Sequence, residues 1–107
     1  MIVDFDVISE ESRIWIYQSN RTFSITEINE IEFKIKDFLI SWTAHGSDLQ
    51  ASFIIKYSRF IVISLNESFN LATGCSIDSS VRFIQDLEEE YDVSLLDKMN
   101  VSYRHGE

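Results

Sequence analysis

A chain of 107 residues with 45% hydrophobic and 25% charged content holds apolar material for one core and not for two, so a single domain spanning 1–107 is expected. Eighteen acidic against nine basic residues leave a net charge of -9, and the bases are scattered from Arg13 to Arg104; nucleic acid and anionic membranes are therefore disfavoured as partners. One cysteine excludes an internal disulfide and a paired-cysteine zinc site, which fits a reducing cytoplasm, and no cofactor or metal motif is present.

The start, Met1-Ile-Val-Asp-Phe-Asp-Val7, lacks the basic and long apolar regions of a signal peptide or anchor, and residues 1–12 read as a lead-in or edge segment. Arg13-Ile-Trp-Ile-Tyr-Gln18 is the first strand, and its apolar groups on both faces predict a central place in the sheet. A helix follows over about 25 to 43. Its start combines Ser24 as N-cap, Glu27 three residues on, and Phe23 against Ile28 as a hydrophobic staple. Ile28, Ile31, Ile35, Phe38, Leu39 and Trp42 form its apolar stripe, and His45-Gly46 is expected to stop it.

Two short β-branched runs, Ala51–Ile55 and Phe60–Leu65, predict a hairpin. A second helix, with Ser76 or Asp78 as N-cap, carries Ile77, Val81, Ile84, Leu87 and Tyr91 at helical spacing and ends near Glu90 to Asp92. A short turn over Val93–Asp97 and a last strand over Met99–Tyr103 complete the chain. The order strand, helix, strand, strand, helix, strand is that of an α+β, ferredoxin-like βαββαβ sandwich, a four-stranded antiparallel sheet with both helices on one face. Right-handed crossovers then give the sheet order 4-1-3-2.

That topology gathers residues that are far apart in sequence. His45, Cys75, Ser76, Asp78, Arg13, Arg104 and His105 are all expected at one end of the fold. Two chemistries follow for that end. A thiol just before a helix N-terminus, with a histidine as base, makes Cys75 and His45 candidate catalytic residues; the plainer account is that Cys75 is a buried apolar filler. Thr73-Gly74-Cys75-Ser76 opening a helix is also a candidate cradle for a small anionic ligand, with Asp78, His105, Arg13 and Arg104 nearby; the plainer account is a tight turn and its caps.

Other suggestive features have ordinary explanations. The acidic cluster Asp86, Glu88, Glu89, Glu90 and Asp92 reads as a solvated helix face that opposes the helix dipole, and it is expected to cost a little stability or to meet a basic partner. Trp15, Tyr17, Phe53 and Phe60 on a four-stranded sheet suggest an RNA-stacking platform, but without interleaved basic residues they read as packing. The sheet face away from the helices carries more apolar area than a monomer usually exposes, so it is expected to be covered by a second copy, by the N-terminal segment or by material beyond Glu107.

Five blocks of the chain, Ser12–Gln18, Trp42–Asp48, Arg59–Ile63, Ala72–Asp78 and Leu96–Asn100, are similar to those of a family of small uncharacterised bacterial proteins often labelled "ABC transporter ATPase". Two of these blocks, around His45 and Cys75, are those that the topology brings to one end. Members of the family continue past the position of Glu107. The chain has no Gly-x-x-x-x-Gly-Lys-Ser/Thr motif, so ATP hydrolysis is the weakest function implied. The leading expectation is a cytoplasmic binding or interaction module that self-associates through its open sheet face; the alternative is a cysteine-dependent enzyme or small-anion binder.

Overall fold

The computed structural model describes residues 1–95 and, as backbone, 101–103. Its α+β architecture comprises β1 (Arg13–Gln18), α1 (Ile25–Ile40), β2 (Thr43–Ala44), β3 (Ser47–Asp48), β4 (Ala51–Lys56), β5 (Phe60–Leu65), α2 (Gly74–Tyr91) and β6 (Val101–Tyr103). The principal sheet has the order β4-β5-β1-β6, every pair antiparallel, and β2 with β3 forms a separate small hairpin.

β1 is central because it has apolar groups to offer on both sides. Trp15 and Tyr17 face the helices with Ile61, Ile63 and Leu65 of β5 and Ala51 of β4, and this layer meets Ile31, Ile35 and Leu39 of α1 and Ile84 and Leu87 of α2. Burial pushes the Tyr17 phenol up to about 12. On the far face, Ile14 is buried while Ile16 is half-buried.

The N-terminal segment is more than a lead-in. Ile2 bridges in parallel to Ala51 at the β4 edge, with Val3 N donating to Ala51 O at 2.8 Å and Ala51 N to Met1 O at 3.0 Å. Residues 4–12 must then pass β5 to reach β1. The burial pattern puts that crossing on the far face: Ile8 and Ser12 are buried but stand outside the helix-side core, as do Ile14, Ser52 and Ser64. Ser52 and Ser64 are opposite one another in register, and their small side chains leave room for a segment of chain over them.

The start of α1 is as the sequence predicts. Ser24 Oγ accepts from Glu27 N at 3.1 Å, Glu27 Oε1 accepts from Ser24 N at 2.9 Å, and Phe23 and Ile28 both enter the core. Its end differs. The helix stops at Ile40 with Ser41 as C-cap, and His45-Gly46 is the two-residue turn of the β2–β3 hairpin, both residues left-handed at φ 53° and 80°. Such a turn needs positive φ at two positions, which favours glycine at the second. The helical spacing of Trp42 misled because the residue stays buried after the helix has ended.

The β4–β5 turn is unusual in having two side-chain-bearing residues, Tyr57 and Ser58, at positive φ. It is held from outside: Phe23 N donates to Ser58 O at 2.8 Å and Arg59 Nε to Ser19 O at 2.9 Å. Close by, Arg21 forms a fork on Glu27, both contacts 2.9 Å, and donates to Tyr91 O at 2.6 Å, which joins the N-terminus of α1 to the C-terminus of α2. Tyr91 donates to Glu30 Oε1 at 2.8 Å, and burial raises its phenol above the usual value.

The hydrogen bonds from Arg21, then that from Ser24, hold the Glu27 carboxyl down at about 2. An unfolded glutamate titrates near ~4.3, so this contribution is complete above that value and is lost as the pH falls toward 2. Glu27→Gln should therefore lower stability to urea at neutral pH, with the difference from the parent chain shrinking between about pH 5 and 2. A difference that stayed constant across that range would contradict the pairing.

Candidate functional site

One end of the fold collects the start of β1, the end of β5, the β2–β3 hairpin and the start of α2. Trp42, just past α1, organises it. Its indole Nε1 donates to Ser76 O at 2.9 Å, both residues buried, and its ring lies edge-on to Trp15 at 6.2 Å and tilted against Phe38 at 5.5 Å. The hairpin that follows Trp42 is thereby set beside the first turn of α2.

The loop from Asn66 to Thr73 closes this end through its own polar side chains. Asn66 Nδ2 donates to Gln50 Oε1 at 2.9 Å, Asn66 Oδ1 accepts from Ser68 N at 3.1 Å, and Asn70 Nδ2 donates to Asp48 O at 2.7 Å. Glu67 Oε2 accepts from Ala72 N at 3.3 Å and pairs with Arg13 Nη1 at 3.5 Å. Arg13 lies over the Trp15 ring, 4.9 Å from its centroid. Between loop and hairpin is an open cleft of about 600 Å³, lined by Ala44, His45, Ser47, Glu67, Asn70 and Thr73 among others.

The structure places the expected site residues unevenly. His45 and Thr73 line the cleft. Arg13 is engaged by Glu67. α2 begins at Gly74, three or five residues before the expected caps would start it, and its N-cap is Thr73 and not Ser76 or Asp78. Thr73 Oγ1 accepts from Ser76 N at 3.1 Å, while Ser76 Oγ accepts from Thr73 N at 2.8 Å and donates to Thr73 O at 2.9 Å. The hydroxyls of Thr73 and Ser76 are thus committed to the cap. Asp78 is exposed on the helix. Arg104 and His105 lie outside the described residues.

Cys75 is exposed, in the first turn of α2 and outside the cleft lining, so it is not a packing filler. The N–H groups of Gly74 and Cys75 meet no acceptor among the described residues. No group of three acidic, histidine or cysteine side chains suited to a metal ion occurs among the described residues. Nor is any described helix long and apolar enough to cross a membrane.

No family model, curated protein or solved structure matches the chain. The cleft is therefore characterised by its own chemistry, in which the paired Glu67 and the His45 imidazole stand among neutral side chains. Glu67 and Asn70 belong to the small-polar stretch Asn66–Ser80, which the sequence marks as the best candidate site without giving either residue a role, and Ser47 lies outside it. The available signal was the polar run Asn66-Glu-Ser-Phe-Asn70, whose asparagines suit turns, together with His45-Gly46 as a hairpin turn.

The placement of Cys75 has a direct chemical consequence. In the native protein the thiol should be modified stoichiometrically by an aromatic disulfide reagent, at a rate within about tenfold of that in the denatured chain. Modification only on denaturation would contradict the exposed position.

Proposed function

We propose that this chain is a binding or interaction module with a ferredoxin-like βαββαβ plan, and that it self-associates in the cytoplasm through the far face of its sheet. The observation that carries this reading is a cross-strand row, Ile54–Val62–Ile16, in direct register over β4, β5 and β1. All three side chains are half-buried in the isolated chain, and Phe60 at the turn end of the same face is half-buried as well. Ile14, Ser52 and Ser64 at the opposite end of that face are buried, whereas this row keeps part of its apolar surface in solvent. A row of β-branched residues centred on a middle strand suits a two-fold interface, where the same patch meets itself.

A second reading, a small-anion binder or cysteine-dependent enzyme with His45 as base, is favoured by the exposed Cys75 thiol beside two N–H groups without acceptors among the described residues. It ranks lower because the cap consumes the Thr73 and Ser76 hydroxyls and Glu67 engages Arg13.

Val62→Glu puts a charge at the centre of the row. The parent chain should sediment at twice its 12.5 kDa mass, and the variant, with unchanged circular dichroism, at the mass of one chain. A parent chain that stays monomeric at about 0.5 mM, a concentration well above that of specific dimers, would remove the self-association reading.

A further inference from the structure

The two helices pack antiparallel on the side of the sheet opposite the Ile54–Val62–Ile16 row. Tyr91 meets Glu30, Glu90 meets Lys34, and Phe83 stacks on Phe38 with centroids 4.6 Å apart. Over the Lys34–Glu90 and Phe38–Phe83 contacts the helices leave an open groove of about 440 Å³. Phe38 and Phe83 form its apolar floor with Leu87, and Phe33 stands at its lip, 72% exposed. Ile40, two turns beyond Phe33 on the outer side of α1, is 60% exposed. Neither is part of the core, and an aromatic and a branched aliphatic side chain left in water cost solubility with no gain in packing.

Charge decides what fits. Four charged side chains line the groove, and three are acidic: Asp37, Asp86 and Glu90. The one base, Lys34, is held by Glu90 at 3.3 Å. Asp37 and Asp86 have no ion-pair partner among the described residues. An acidic rim on a chain of net charge -9 repels nucleic acid, anionic lipid and a second copy of the same acidic helices, and attracts a basic segment. The shape points the same way. A channel between two antiparallel helices, with apolar Phe33, Phe38 and Phe83 along it, accepts a third helix.

We propose that the α1–α2 groove is a docking site for a basic amphipathic helix of a partner protein, its apolar stripe seated on Phe33, Phe38 and Phe83 and its lysines or arginines meeting Asp37 and Asp86. The site is on the other side of the sheet from the proposed self-association face, so the two stand or fall separately.

The test uses the whole chain, nitrogen-15 labelled, and three synthetic peptides of about 18 residues, five helical turns. One places leucines at i, i+3, i+4 and i+7 among lysines; the second has the same composition scrambled; the third replaces lysine by glutamate. The first should give saturable amide shifts confined to residues 33–41 and 83–90, and the other two should not. Phe33→Ser, which removes an exposed ring and should leave the unfolding midpoint in place, and Asp37→Lys with Asp86→Lys should each weaken binding by about tenfold or more. Equal binding of the scrambled peptide would reduce the interaction to unspecific charge attraction and overturn the proposal. So would shifts elsewhere on the chain, or an unchanged affinity of Phe33→Ser.

Discussion

The buried hydrogen bond from Trp42 to the Ser76 carbonyl is the constraint on which the assembled end of this fold depends. An indole N–H left unpaired in the interior costs about 1–3 kcal/mol, so the ring fixes the start of α2 against the end of α1 as well as filling space. The same ring contacts Trp15 and Phe38, and Phe38 stacks on Phe83, so an aromatic chain runs from the central strand through α1 to α2. The hairpin and the Asn66–Thr73 loop can form one cleft because this chain holds both elements that carry them.

The opposite end is held by charge. Arg21 reaches from the loop after β1 to Glu27 at the head of α1 and to the last carbonyl of α2, that of Tyr91. A positive group at that place offsets part of the unfavourable field of the acidic run at the α2 C-terminus, and Lys34 answers Glu90. The acidic cluster is thus partly used inside the chain, and Asp86 borders the helical groove.

Much of this was legible in the sequence, for physical reasons that differ by element. Ser24 and Glu27 form a reciprocal cap whose two partners are both diagnostic residue types, so α1 announces its start. β1 is central because two-sided apolarity has only one sheltered place in a sheet. The start of α2 was less readable, since Thr73, Ser76 and Asp78 are all good caps in succession and the choice is made by Trp42, 34 positions from Ser76. The short hairpin after Trp42 was hidden because a residue can keep its inward side after its helix has ended. The β4–β5 turn lacks the glycine that marks such turns, and tertiary bonds to Ser58 and from Arg59 join the local bond from Arg59 N to Lys56 O in holding its left-handed residues. Exposure of Cys75 follows from the early helix start, which rotates that position away from the core.

For function, the fold separates three surfaces: a polar cleft at the Trp42 end, an apolar row on the sheet and an acid-rimmed groove on the helices. An interaction module needs surfaces of the last two kinds, held rigidly enough that their registers are fixed. That rigidity comes from the Trp42 bond, and hydrogen exchange at its indole nitrogen measures it most directly. The account predicts that this proton exchanges among the slowest in the protein, released only by global unfolding. Exchange at the rate of a free indole would show that α2 is not held there, and would contradict the account at its root.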